Sequence, residues 1–217
     1  RGYITPQEFN LFANQAQVEI FEQYFYDLNQ AARIPGNDYV YADADDMLEE
    51  KLQIFEHCDN QRAIHAYAKA PGPGVKFLPS YVYRVHRIEL AGVNCEMLRT
   101  KDFKDLFNAP YLIKPTPQSP VANIRNNIMT VMAGGASTLP SEICYFKKPI
   151  DVRWGYLVVT GKALYDSLTT INFELHASEE SELVYRILAF AGVTLQKPQL
   201  TQTAAGMEQT KVQQEKQ

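Results

Sequence analysis

Long apolar runs are missing from this sequence: nothing approaches the roughly 18 consecutive apolar residues that a membrane-spanning helix requires. Positive charge is also in short supply, with 21 Lys and Arg against 25 Asp and Glu and a net charge of −4. A general nucleic-acid binder would carry a basic face, and this balance argues against one. No run of like charge exceeds a few residues, so no acidic or basic tail stands out. Cysteine is limited to Cys58, Cys95 and Cys144, an odd number, widely spaced and without a C-x-x-C pair. That pattern predicts reduced, buried thiols from a cytosolic assembly environment, and argues against a secreted disulfide scaffold. No N-x-S/T sequon occurs. An opening on Arg1 rather than Met leaves room for an upstream segment or a removed leader.

Tryptophan appears once, yet aromatics reach 12% because 13 Tyr and 11 Phe are present. Tyr buries area while keeping a polar tip wet, which suits an extensive contact surface as well as an ordinary core with half-exposed tyrosines. The 217 residues, 46% hydrophobic, suffice for one or two cored domains.

Motifs that carry chemistry are equally scarce. His57 and His65 flank Cys58, but their spacing matches no zinc pattern, and further ligands would have to come from afar. Asp43-Ala44-Asp45-Asp46 lacks the loop glycine and distal glutamate of an EF-hand. Neither Gly72 with Gly74 nor Gly134 with Gly135 precedes a P-loop Lys-Ser/Thr, so both pairs read as turns. His86 and His176 stand near no recognisable nucleophile, and no G-x-S-x-G elbow occurs. Lys147-Lys148, the one basic doublet, reads as a solvated strand edge sooner than a nucleic-acid contact. The expectation is a non-enzymatic protein with no catalytic, cofactor-binding or metal-ligating residues.

Patterning along the chain predicts an α+β fold. Thr5-Pro6-Gln7-Glu8 has the form of a capping box with Pro at the first helical position, and Ile4 and Phe9 are spaced as a hydrophobic staple. Apolar residues at Phe9, Phe12, Ala13, Ala16, Ile20, Tyr24 and Leu28 define one face of a long helix reaching Ile34, where Pro35-Gly36-Asn37-Asp38 breaks it. Leu11, Val18 and Phe25 add a second stripe, as in a helix covered on two sides. A second helix is predicted from Asp45 or Asp46 to Cys58, with acidic residues in its first turns. Pro71-Gly72-Pro73-Gly74 marks a linker, after which β-branched and aromatic strands dominate at 81–88, 127–132, 143–149 and 154–159. Pro110 to Pro120 reads as a loop or extended arm. A last helix is capped by Ser178, has Leu183, Val184, Ile187, Leu188 and Ala191 as its buried stripe, and ends at Gly192. The parts are thus a helical segment at 1–70, a β-rich module at 75–161, a helical return at 162–197 that packs with the first helices as a bundle, and an extended assembly tail at 198–217. Only Leu200, Met207 and Val212 are sizeable apolar residues in that Gln-rich tail. Too few to fold alone, they are predicted to anchor it on a neighbouring subunit or layer.

Three stretches carry a resemblance. Arg1-Gly-Tyr-Ile-Thr-Pro-Gln-Glu-Phe-Asn-Leu-Phe-Ala-Asn-Gln-Ala-Gln-Val-Glu-Ile-Phe-Glu-Gln-Tyr-Phe at the start, Tyr-Phe-Lys-Lys-Pro-Ile-Asp-Val-Arg-Trp-Gly-Tyr from Tyr145 to Tyr156, and Asn-Phe-Glu-Leu-His-Ala-Ser-Glu-Glu from Asn172 into Leu183-Val-Tyr-Arg-Ile-Leu-Ala-Phe-Ala-Gly-Val-Thr-Leu resemble neck proteins of crAss-like and related podovirus-type tailed bacteriophages. The resemblance implies a structural virion protein of the head-to-tail connector. It would form a closed, dodecameric ring of its own copies, contact the portal protein and adjacent neck or tail proteins, and surround the DNA conduit with only passive proximity to the genome. It also implies assembly in the bacterial host cytoplasm and residence in the virion neck, without membrane contact. A monomeric binding module or assembly chaperone is the alternative, ahead of a small phage-encoded hydrolase.

Overall fold

The computed structural model describes residues 3–31, 39–72, 74–108, 110, 114–195, 202–207 and 209–210, with side chains omitted at 31 and 39–45. The fold is α+β, as the patterning predicts, with a long first helix and a β-rich middle. It divides into two compact units: one pairs Arg1–Ile54 with Pro149–Gln217, and the other is the contiguous stretch Phe55–Lys148.

In the first unit, α1 spans Pro6–Ala31 and α2 spans Tyr39–Gln53. The capping box forms: the Thr5 backbone N–H donates to Glu8 Oε2 at 2.9 Å, and the Glu8 N–H donates to Thr5 Oγ1 at 3.3 Å. After the middle of the chain returns, α5 occupies Glu180–Thr194 and packs along α1. Phe12 and Phe190 meet at 6.3 Å between ring centroids. The half-buried Arg186 guanidinium reaches Glu182 at 2.5 Å and Glu19 at 3.5 Å, and also donates to Gln23. Lys51 of α2 pairs with the buried Glu179 at 2.5 Å, just ahead of α5.

An extended segment, Ile150 to Trp154, runs antiparallel to α1 and is held by amide side chains. Asn10 accepts from the Trp154 N–H at 2.7 Å, and its Nδ2 donates back to the Trp154 carbonyl at 3.4 Å. Asn14 does the same for Val152, at 2.7 and 3.0 Å. Gln17, 1% exposed, donates to the Ile150 carbonyl at 2.8 Å and accepts from the Glu174 N–H at 3.1 Å. The geometry matches because four helical residues rise about 6 Å while two extended residues advance about 6.6 Å. Every second backbone unit therefore finds an amide on the helix. The intervening unit, Arg153, bonds the Ile171 backbone in both directions. The segment leads into a hairpin of β10 (Tyr156–Val159) and β11 (Lys162–Tyr165), whose numbering follows the nine strands of the second unit.

In the second unit the chain order is β1 (Glu56–Asn60), α3 (Gln61–Ala66), β2 (Lys76–Phe77), β3 (Val82–Leu90), β4 (Val93–Asn94), β5 (Glu96–Met97), α4 (Thr100–Asn108), β6 (Val121–Arg125), β7 (Ile128–Ala133), β8 (Ala136–Thr138) and β9 (Glu142–Lys147). One sheet has the order β1-β9-β3-β4, and the other β2-β7-β6-β5 with β8 also on β7. Ile88, Ile143 and Tyr145 of the first sheet meet Ala122, Met129 and Val131 of the second in one core, closed by Ile64 and Tyr67. In that core, Asp59 Oδ2 accepts from the Tyr67 hydroxyl at 2.6 Å and from the Tyr145 hydroxyl at 3.1 Å. Burial, together with the neighbouring Asp59, pushes both phenols well above their ordinary range.

Several expectations are corrected. The second helix stops at Gln53, and Cys58 lies on strand β1. Cys58 stands directly opposite Cys144 of β9, with Cα atoms 4.1 Å apart, and the two form a disulfide; only Cys95 remains a free, buried thiol. Two cysteines 86 residues apart meet because antiparallel pairing sets their register, which spacing in sequence does not reveal. Pro71-Gly72-Pro73-Gly74 does not separate the units, whose boundaries fall at Ile54/Phe55 and Lys148/Pro149. Of that stretch, Pro73 lies outside the described residues, and a Cβ on Gly74 would meet the Ser137 carbonyl oxygen at 2.9 Å, so the glycine serves a close approach inside the second unit. Strand β9 is interior to its sheet, so Lys147 is not an edge lysine. Val184 and Leu188 point outward from α5, which continues past Gly192 to Thr194. In the tail, 202–207 and 209–210 are helical with Ala204 buried, where an extended run was expected.

Replacing Asn14 by Leu leaves both polar atoms of Val152 without their partner. It should lower the stability of the first unit by about 2–4 kcal/mol, while Gln15→Ala on the exposed side of α1 should change it by less than about 0.5 kcal/mol. Denaturant titration followed by circular dichroism measures the difference. In the second unit, the folded state holds the Tyr67 and Tyr145 protons more tightly than an unfolded chain with a phenol near pH 10. Stability should therefore be level below about pH 10 and fall as pH rises beyond it. Tyr67→Phe combined with Tyr145→Phe should flatten that alkaline decline; an unchanged slope in urea melts between about pH 8 and 11 would refute the assignment.

Candidate interaction surface

Of the three residues expected to anchor the tail, Met207 alone is among the described residues. Leu200 and Val212 lie outside the described residues, and Met207 is about half exposed on the short helical run 202–207. His57 stands opposite Tyr145 on β1, with ring centroids 6.3 Å apart, and His65 lies on α3. Among the described residues, one group of His, Cys, Asp and Glu has potential ligand atoms all within 4.8 Å: Cys58, Glu142 and Cys144. Its two sulfurs are bonded to each other, and the Arg87 guanidinium lies 3.4 Å from Cys144 Sγ. A cation there would meet a positive neighbour and no thiolate. Among the described residues no helix is long and apolar enough to cross a membrane.

The surface feature that stands apart is the β10–β11 hairpin. Its register is Tyr156 opposite Tyr165, Leu157 opposite Leu164, Val158 opposite Ala163 and Val159 opposite Lys162. Opposed residues share a face and neighbours alternate, so Leu157, Leu164 and Val159 line one face with Lys162. Tyr156, Tyr165, Val158 and Ala163 line the other. Leu157, Val158, Val159, Leu164 and Tyr165 are each at least half exposed, and Leu168 just beyond them is 92% exposed. A sheet that packs on its own core is apolar on one face and polar on the other; this one is apolar on both. Among the described residues its sheet has these two strands, and an isolated two-stranded hairpin is marginal in water.

The hairpin is nonetheless held in place from its base. Trp154, between the Phe9 and Tyr156 rings at 6.2 and 6.1 Å, closes the amide ladder on α1. Beyond β11, the Asp166 N–H donates to the Gly155 carbonyl at 2.9 Å and the Gly155 N–H donates to Thr170 Oγ1 at 3.1 Å. At the tip, Thr160 and Gly161 both have left-handed φ, +50° and +76°, as a tight hairpin with the twist of its strands requires. Thr is a costly residue there, by about 1–3 kcal/mol.

Sequence reading found the first strand of this hairpin and missed the second. The signal was present: a two-residue loop ending in Gly between apolar runs. The ladder residues were also missed, although Asn10, Asn14 and Gln17 recur at helical spacing on one face of the first helix. No protein-family model matches this chain, and no curated protein matches it.

Proposed function

We propose that this chain is a non-enzymatic structural protein of the virion, a ring-forming subunit of the neck that joins head to tail in a tailed bacteriophage. The observation that carries the proposal is the β10–β11 hairpin, an apolar arm exposed on both faces and clamped at its base to the longest helix. An exposed apolar patch of this kind marks a protein contact, and a fixed stem keeps the arm ordered before the contact is made.

The likeness of the opening helix, the Tyr145–Tyr156 stretch and the α5 region to phage neck proteins supplies the particular assembly. The ladder and the hairpin stem fall within two of those three stretches. A net charge of −4 suits a wall around passing DNA, which it would repel sooner than grip. The partners in this reading are further copies in a closed, dodecameric ring, the portal, and adjoining neck or tail proteins, with the contact made in the virion after assembly in the host cytoplasm. The Cys58–Cys144 bond accords with a particle that leaves the reducing cytoplasm, where such bonds are rare.

Mass spectrometry of purified particles should find the chain at the copy number of one neck ring, and cryo-EM should place it as a closed ring at the neck. Absence from particles, or one or two copies per virion, would instead favour a monomeric binding module or an assembly chaperone.

A further inference from the structure

Two apolar surfaces of the first unit lie on opposite sides of α1. The ladder residues Asn10, Asn14 and Gln17 fall on one face of the helix at about 100° per residue, and they hold the hairpin stem. Positions 12, 19 and 23, which touch α5 through Phe190 and Arg186, fall on the opposite face. On α5, the residues turned to α1 are Glu182, Leu183, Arg186 and Phe190. Val184 and Leu188, one turn apart, lie on the far side and are 46% and 39% exposed. Glu180, also exposed, continues that stripe by one more turn. The unit therefore has a hairpin at one side and an acidic-apolar helical stripe at the other.

The two surfaces are complementary in spacing and in charge. On one hairpin face, Leu164 and Lys162 are two strand residues apart, about 6.6 Å. On the helix, Val184 and Glu180 are four residues apart, about 6 Å. Laying β11 along the stripe sets Leu164 against Val184 and the Lys162 ammonium against the Glu180 carboxylate, with Leu157, directly across the hairpin from Leu164, beside Val184.

We propose that the occupant of the hairpin's Leu157–Leu164 face is a second copy of this chain, which receives it on the Glu180–Val184–Leu188 stripe of α5. The contact is heterologous, because donor and acceptor surfaces differ and lie on opposite sides of one helix. Such a contact propagates head to tail until it closes into a ring or grows as a filament. The inference rests on the reading of the chain as a self-assembling subunit, and assigns the surfaces by which it does so.

The test uses the full chain in sedimentation and light-scattering measurements across concentration. Wild type should self-associate. Leu157→Lys with Leu164→Lys blocks the hairpin, and Val184→Glu with Leu188→Glu blocks the stripe; each should weaken self-association at least tenfold. Mixed together, the two blocked variants should form a 1:1 dimer and nothing larger, because each retains one intact surface. Should either blocked variant lose its circular dichroism signature, surface charge reversal keeps the proposal testable. Lys162→Glu and Glu180→Lys should each weaken association several-fold, and their combination in one chain should restore it. A wild type that stays monomeric up to about millimolar concentration overturns the contact. Blocked variants that assemble like wild type, or a charge pair with no mutual rescue, overturn it as well. Those outcomes leave the neck reading standing if the chain is present at ring copy number in particles. Conversely, a chain absent from particles whose self-association both blocks abolish sinks the neck reading and keeps the contact.

Discussion

The first unit depends on a helix acting as the edge of a sheet. Backbone polar groups removed from water need partners, and the stretch from Ile150 to Trp154 finds them in three amide side chains of α1. Asn and Gln suit this because each amide offers a donor and an acceptor at the spacing of a peptide unit. The constraint propagates in both directions. It fixes where the chain re-enters the unit after its long excursion, and it fixes the base from which the β10–β11 hairpin departs. On the opposite side of α1, Arg186 and Phe190 fasten α5. A single helix thus organises elements separated by more than a hundred residues, through polar bonds on one face and mixed contacts on the other.

What the sequence disclosed follows the range of the interactions involved. The capping box at Thr5 and Glu8 was legible because its partners are three residues apart. Strands at Val82–Leu90 and Glu142–Lys147 were legible from their composition. The disulfide was not, since Cys58 and Cys144 are unremarkable until β1 and β9 pair in register. The helix boundary was misjudged for a related reason: Phe55 to Cys58 continues a helical apolar pattern, but pairing with β9 wins over local propensity. Likewise, Val184 and Leu188 read as buried from periodicity alone, which tells that a helix has an apolar stripe and leaves open what covers it.

The hairpin shows how stability and exposure are reconciled. Alone, two strands with apolar residues on both faces would be a poor structure and an aggregation hazard. Here the stem is saturated with hydrogen bonds, so order at the base substitutes for burial along the arm. Lys162 near the tip supplies the kind of charge that discourages indiscriminate strand pairing.

The second unit enters the first as an insert whose two ends meet. The Lys147 N–H donates to the Phe55 carbonyl at 2.8 Å, because β1 and β9 are antiparallel neighbours. This has a kinetic meaning. Joining Ile54 to Pro149 through an unstructured loop of that length costs on the order of 4 kcal/mol of chain entropy. A contiguous stretch with its own core can form first, and once it has formed that distance is already closed. The amide ladder then needs to capture only a neighbouring strand, so a folded continuous unit removes most of the loop-closure cost of the discontinuous one.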